Sequence, residues 1–321
     1  MTNVGIAGLG HWGPNLARNF DELGALVALC DLEPDLRERF ARRYPQARMY
    51  ADYDEMLGDD ELDAVVVATP VPTHYELARR GLTAGKHVMV EKPPAMRAPE
   101  MEELVALSEE RQLALMPGHL LLYHPGVQKL KELIDSGETG EVLCIYGNRQ
   151  NLGVIRKDEN ALWSLGVHDL SVILYLLDEE PEEAVAHGNA FLNPGVEDVV
   201  FYYLRFPSGK IAHMHLSWLD PHKMRKITVV GKEKMAVFDD MELERKVTIY
   251  EKGPWQPAET YGEWQTRTGD IYSPKIPNDE PLRLECRHFL ELVANGGAAH
   301  KEARDGLAVV RALEKLQAGL S

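Results

Sequence analysis

The sequence predicts an α/β chain of two domains: a doubly wound parallel sheet over 1–120, then an α+β domain over 121–321 with a large, mainly antiparallel, open sheet. Three observations carry this. In the first third, unbroken apolar runs alternate with segments of helical period, the pattern of parallel strands buried on both faces. Beyond Leu121 strand-like runs follow one another with little helix between them, which calls for antiparallel pairing. And Val4-Gly5-Ile6-Ala7 runs directly into glycines at 8, 10 and 13, a strand leading into a tight turn.

Taken in order, Asn15–Leu23 reads as a helix ended by Gly24, and Ala25–Cys30 as a second strand closed by Asp31. Helical period recurs over Glu33–Tyr44 and Tyr53–Leu57, before a third strand, Asp63–Ala68, that stops at Thr69-Pro70. His74–Ala84 is a helix capped by Gly85, and His87–Val90 a strand ending in Glu91-Lys92-Pro93. Ala98–Gln112 and Leu113–Met116 complete the alternation, with Met89, Met101 and Met116 in the core. Next come an amphipathic helix, His124–Ser136, a strand, Glu141–Arg149, and a strongly apolar helix, Leu165–Leu177. The acidic run Asp178–Glu183 reads as a solvated turn. Strands are expected over Val196–Phe206, Lys210–Trp218, Arg225–Val230, Ala236–Asp239 and Lys246–Tyr250, with Pro207-Ser208-Gly209 as a hairpin turn. Gly253–Pro281 has no clear period but holds Trp255, Tyr261, Trp264 and Tyr272, and a long aromatic loop points to function or an interface. Arg283–Asn295 and Ala303–Gln317 close the chain as helices.

Composition narrows the function. A formal charge of −16 argues against nucleic acid, whose binding needs clustered Lys and Arg. Cys30, Cys144 and Cys286 are too few and too scattered for a disulfide framework or a zinc signature, so a reduced, cytoplasmic setting is expected. No leader is expected ahead of the first strand, and no apolar run reaches membrane-spanning length.

The glycines carry the chemistry. Gly8, Gly10 and Gly13 stand at G-x-G-x-x-G spacing. The first permits a tight bend, the second lets backbone approach a pyrophosphate, and the third allows close helix–strand packing. Pro14 suits the first turn of a helix whose N–H groups then face the anion. His11 and Trp12 lie inside the turn and join the candidate cofactor set. Asp31 ends the second strand, where an acid binds adenosine ribose hydroxyls and repels a 2′-phosphate, favouring NAD; the alternative is a cap for the next helix.

Lys92 sits at the C-terminal end of a parallel strand, where open α/β sheets gather ligands, on a segment stiffened by prolines. His168 opens the apolar helix beside Asp169, and the two polar groups at its start face either a cleft or a cap site. There the helix dipole disfavours the cationic imidazole and suits it to accept a proton. His119, Tyr123 and His124 cluster after the last strand of the first domain, near the expected cleft. His213 and His215 share one strand face, but lack a third ligand at metal spacing, so no metal is expected.

Gly8-Leu9-Gly10, Thr69-Pro70 with His74, Glu91-Lys92-Pro93 and Gly166-Val167-His168-Asp169, in that order, resemble the glucose–fructose oxidoreductase / inositol dehydrogenase / rhizopine catabolism (Gfo/Idh/MocA) family, as does Pro281–Phe289. The resemblance implies a Rossmann domain, a second domain whose open sheet makes a homo-oligomer, a nicotinamide cofactor and a sugar or polyol substrate. It implies that Thr69, Pro70, His74 and Glu91 line the cofactor, that Lys92 contacts the reacting hydroxyl and that His168 is the acid/base. Where the family often has Asp four residues before this His, Ser164 stands here. His119–Pro125, Arg149–Gly153 and Asn160–Leu165 are similar to the branch that oxidises the 3-hydroxyl of nucleotide-linked amino sugars such as UDP-N-acetylglucosamine. That likeness implies Arg149 on a diphosphate and Asn151, Asn160 and Trp163 on the sugar.

Overall fold

The structure, a computed structural model, describes residues 2–153, 155–157, 159–256, 262–296 and 300–320. It divides into two compact units: Met1–Tyr123 with Glu280–Arg311, and His124–Asp279 with Ala312–Ser321.

The N-terminal stretch runs β1 (Val4–Ala7), α1 (Gly13–Glu22), β2 (Leu26–Cys30), α2 (Pro34–Arg43), β3 (Arg48–Tyr50), α3 (Tyr53–Leu57), β4 (Ala64–Val67), α4 (His74–Thr83), β5 (His87–Glu91), α5 (Ala98–Arg111) and β6 (Leu115–Gly118). The six strands are parallel in the order β3-β2-β1-β4-β5-β6, so the direction in which the chain crosses the sheet reverses between β1 and β4. That switch point is where such sheets open a crevice for a ligand. Successive strand residues point to opposite faces, and both faces are covered. Ile6, Val66, Met89 and Met116 pack with Leu16 and Phe20 of α1, while Val65, Val67, Val88 and Val90 pack with Leu82, Met101 and Leu104.

Near the end of the chain, α8 (Pro281–Ala294) and α9 (Lys301–Ala318) follow. Leu282, Cys286 and Phe289 of α8 join the face covered by α1, with Phe289 edge-on to Phe20 at 6.4 Å. Leu307 and Val310 of α9 join the other face. This burial, about 1.5–3 kcal/mol per large apolar side chain, is why Glu280–Arg311 belongs with the N-terminal stretch rather than with its neighbours in sequence.

In the second unit, α6 (Pro125–Asp135) precedes β7 (Val142–Gln150), and one turn of π-helix (Leu162–Gly166) leads into α7 (Val167–Leu177). The expected single helix from Leu165 is thus two pieces. Strands β8 (Glu183–Asn189), β9 (Val199–Arg205), β10 (Ile211–Ser217), β11 (Met224–Gly231), β12 (Met235–Asp239), β13 (Val247–Tyr250), β14 (Gly253–Trp255), β15 (Gln265–Arg267) and β16 (Ile271–Tyr272) follow. Eight of the strands form one sheet, β16-β13-β12-β11-β7-β10-β9-β8, in which β7 and β10 pair in parallel and the other neighbours antiparallel. The acidic run is a turn only in part. Asp178 takes φ 52° after α7, but Glu183 already begins β8 and pairs with Arg205 of β9. An exposed edge strand tolerates charge, and that hides it from a search for apolar runs.

Alternation gives the large sheet one buried and one open face. Val200, Tyr202, Ala212, Met214 and Leu216 turn inward, while Phe201 is 52% exposed and Tyr146 and His213 also face outward. His213 stacks on Tyr146 and His215 on Phe201, so each histidine has an aromatic partner on the neighbouring strand. In the aromatic loop β14 and β15 pair as a hairpin and β16 joins the large sheet, with Trp264 exposed; Tyr261 lies outside the described residues.

Candidate active site

The turn after β1 shows three distinct glycine requirements. Gly8 has φ +96°, and a Cβ there would lie 2.5 Å from the Ala68 carbonyl oxygen at the end of β4. A Cβ on Gly13 would lie 2.4 Å from the Gly8 carbonyl oxygen. Gly10 is different: it is exposed, with nothing within 4 Å of where its Cβ would be. Two glycines serve the fold and one keeps the approach to the backbone clear. Pro14 sits in the first turn of α1, and Trp12 at its N-cap supplies no side-chain cap. The exposed His11 stands edge-on to Trp12. An open glycine over a helix N-terminus fits a pyrophosphate.

Asp31 links this turn to β2. Its Oδ2 accepts the Leu9 backbone N–H at 2.7 Å and its Oδ1 accepts that of Glu33 at 2.9 Å. The carboxylate braces both loops at the switch point. It does not cap α2, whose N-cap is Glu33.

At the ends of β4 and β5, Thr69 is half-buried, Pro70 exposed and Lys92 half-buried. The Lys92–Pro93 peptide is cis. His74 is buried and bridges two carbonyls, Thr69 O at 2.7 Å and Pro93 O at 2.8 Å. It ties the loops after β4 and β5 together. Glu91 is buried, with Oε2 3.3 Å from the Lys92 backbone N–H that it accepts. Burial pushes its carboxyl up to about 7 against the opposing pull of the Lys92 charge. His119, 4% exposed, has no hydrogen-bond partner for either ring nitrogen among the described residues. Burial, and then the Lys92 charge, lower its pKa to about 4, so it is neutral at pH 7. Tyr123 packs on His288 of α8 with ring centroids 5.6 Å apart.

In the second unit His168 is half-buried in the first turn of α7, and its carbonyl accepts the Ser171 hydroxyl. The π-helical turn before it is a departure that recurs at functional sites. Asp169, expected to face either a cleft or a cap, is instead buried in a fork with Arg149. Nε and Nη2 of Arg149 donate to its two oxygens at 2.6 and 2.9 Å. Burial opposes the Arg149 charge, yet Asp169 outweighs it and holds the guanidinium above its ordinary range. The bidentate face expected for a diphosphate is thus committed to an internal carboxylate. Tyr202 lies by this pair, its hydroxyl pushed up by burial and then by Asp169.

Asn160 and Trp163 also turn inward. Asn160 Nδ2 donates to Glu197 and to Gln317, and Trp163 Nε1 donates to the same Gln317 oxygen at 3.0 Å. Sequence reading missed Glu197 and Gln317, since nothing local connects Gln317 to residues 154 or more positions away. Asn151 is half-buried, its backbone N–H donating to Ser217 O. Ser164 is buried, its N–H donating to Asn160 O. His124 is a helix cap: its Nδ1 accepts the Gly126 N–H at 3.0 Å.

Residues 2–119 match an oxidoreductase family with an NAD-binding Rossmann fold, and residues 127–237 match the Gfo/Idh/MocA C-terminal domain. The 2,7-anhydro-N-acetylneuraminate hydratase of Escherichia coli (strain K12) is 31% identical over 228 residues, 66% of this chain and 60% of that protein. The UDP-N-acetylglucosamine 3-dehydrogenase of Acidithiobacillus ferrooxidans is 26% identical over 253 residues, 78% of this chain and 77% of that protein. Its solved structure superposes with a TM-score of 0.85 at 22% identity, over 99% of this chain and 97% of that one, which establishes the shared fold. The scyllo-inositol 2-dehydrogenase (NAD(+)) of Bacillus subtilis is 26% identical over 306 residues, 91% of this chain and 86% of that protein. The matched stretch spans about three-fifths of the length of the hydratase and of an uncharacterized oxidoreductase of Streptococcus pneumoniae. Two consecutive domain matches on this two-unit fold, with the glycine turn at the switch point, place the chain in the Gfo/Idh/MocA oxidoreductase family, with an NAD-binding Rossmann domain at its N-terminus.

Proposed function

We propose that this protein oxidises a secondary hydroxyl of a sugar with NAD, and that its substrate is a nucleotide-linked amino sugar such as UDP-N-acetylglucosamine. The observation that carries the reaction class is the half-buried Lys92, at the C-terminal end of the parallel strand β5, where such sheets gather their ligands. Bound NAD would supply the acceptor for the hydride leaving the carbinol carbon. The backbone of Gly8, Gly10 and Gly13 would hold its pyrophosphate, with Asp31 at the ribose and His11, Trp12, Thr69, Pro70 and Glu91 along it. Lys92 hydrogen-bonds the carbinol oxygen and stabilises the negative charge that develops there. His168 accepts the proton of that hydroxyl as general base.

The substrate choice is supported by the likeness to the Acidithiobacillus enzyme along 78% of the chain. Arg149 is not proposed as its diphosphate ligand, because Asp169 occupies the donor fork. The 31% identity to an anhydro-sugar hydratase supports a second reading, addition of water to an anhydro sugar acid. The exposed Phe201 and Tyr146 on the open sheet support a homo-oligomer, which sedimentation would measure.

The test is a panel of UDP-sugars, free monosaccharides, inositols and 2,7-anhydro-N-acetylneuraminate, followed by NADH absorbance and product analysis. UDP-N-acetylglucosamine should give the highest kcat/KM, and turnover of free polyols alone would sink the nucleotide-sugar reading. Lys92→Ala and His168→Ala should each lower kcat by about two to four decades while still binding NADH. Near wild-type turnover in His168→Ala would remove it as the base.

A further inference from the structure

The π-helical turn Leu162–Gly166 runs straight into α7, whose first turn carries His168. Its closing bond shows the register: the Val167 N–H donates to Leu162 O, five residues back rather than the four of an α-helix. A slip to the α register would rotate the residues before the turn by about 100° relative to α7. Something must hold the rarer register.

The holding contacts come from two other elements of the same unit. Asn160 opens the turn: its Oδ1 accepts the Trp163 N–H at 3.1 Å, and its carbonyl accepts that of Ser164 at 2.9 Å. Its two amide hydrogens are divided. Nδ2 donates to Glu197 Oε2 at 2.6 Å and to Gln317 Oε1 at 2.8 Å. The Trp163 indole Nε1 donates to the same Gln317 oxygen at 3.0 Å. Glu197 also accepts the Ala161 N–H on its carbonyl. Gln317 is fixed in turn by α9, which buries Leu313 and Leu316 just before it. At the far end of the turn a Cβ on Gly166 would lie 2.7 Å from Leu216 Cδ1 of β10, so the backbone is pressed against the sheet there.

We infer that Gln317 is a positioning residue for His168. Its one oxygen joins the residue that caps the turn to a ring inside the turn, and so holds the π register that sets where α7 begins. Asn160 and Trp163 are buried, so water does not replace a lost acceptor. A neutral side chain suits the place, because the Glu197 carboxylate already takes the other Asn160 hydrogen. Gln317 acts through the turn and not on the reacting atoms. This rests on the reading of His168 as the general base.

Gln317→Met keeps the length of the side chain and removes the acceptor. In NMR of the cofactor-free protein with labelled histidine, the signal missing from His168→Ala belongs to His168, and it should shift in Gln317→Met. Trp163→Phe removes one donor and keeps an aromatic ring, so it should shift the same signal by less. Circular dichroism would confirm that the variants are folded, and a His168 signal unmoved in both would overturn the assignment. Kinetics separate positioning from mere support. With NADH affinity unchanged, kcat of Gln317→Met should fall about 10- to 100-fold. That deficit should narrow as pH rises, because a hydroxyl nearer ionisation depends less on a base. In a His168→Ala background the same substitution should lower kcat no further. A deficit equal at every pH, or an equal further fall in that background, would refute the positioning role. If no sugar is turned over, or His168→Ala matches wild type, the proposed activity or its base fails, and the His168 signal still decides whether Gln317 places that ring.

Discussion

The Asp31 Oδ2 accepts the backbone N–H of Leu9 at 2.7 Å, so the end of one strand holds the glycine turn that follows another. With Glu33 on the other oxygen, one carboxylate braces both loops of the proposed cofactor site. Hydrogen bonds to a charged group are worth about 1.5–3 kcal/mol each. Asp31→Ala should therefore weaken NADH binding at least tenfold in calorimetry and lower Tm, with Asp31→Asn falling between. NADH affinity equal to wild type in Asp31→Ala would show that the brace is irrelevant to the site.

The glycines should separate by what surrounds them. Gly10→Ala adds a methyl into open space, so Tm should hold while NADH affinity falls, since that space is the proposed approach of the pyrophosphate. Gly13→Ala places a methyl 2.4 Å from a backbone oxygen and should cost several degrees of Tm. Equal NADH affinity in Gly10→Ala and wild type would move the pyrophosphate elsewhere.

Breaking the Arg149–Asp169 pair should be a stability defect before it is a binding one. Removing one partner leaves a buried charge alone, at a cost of about 3–5 kcal/mol. Arg149→Met or Asp169→Leu should lose that much in urea unfolding, and the double variant should recover a large part of it. If Arg149→Met kept full stability and lost only nucleotide-sugar affinity, the guanidinium would be a ligand after all.

His119 should mark the acid side of stability. Unfolded, it takes a proton near its ordinary 6.5; folded, only near 4. As pH falls through that window the unfolded state binds the extra proton, so stability is lost, reaching about 3 kcal/mol at the bottom of the window. Glu91 works the other way, binding its proton in the folded state first, so that stability falls as pH rises from about 4.5 to about 7. The variant His119→Gln removes only the first effect. Its loss of stability between pH 6.5 and pH 4.5 should be smaller than that of wild type by about 2–3 kcal/mol, and an identical loss would contradict the burial of a neutral ring.

Much of this protein is legible in its amino-acid sequence alone. Glycines 8, 10 and 13, Asp31 at a strand end and apolar runs alternating with helical period are enough for the parallel sheet and its cofactor, because buried strands and phosphate turns constrain sequence locally.

The partners of the polar residues are decided by tertiary structure alone. That Arg149 faces Asp169, that His74 bridges two loops and that Asn160 and Trp163 meet Gln317 depend on contacts between elements distant in sequence. A side chain's spacing says which face it takes. Which group it finds there, and so whether it is left for a ligand, is set by packing, because a buried donor or acceptor must be satisfied by whatever the fold brings within reach.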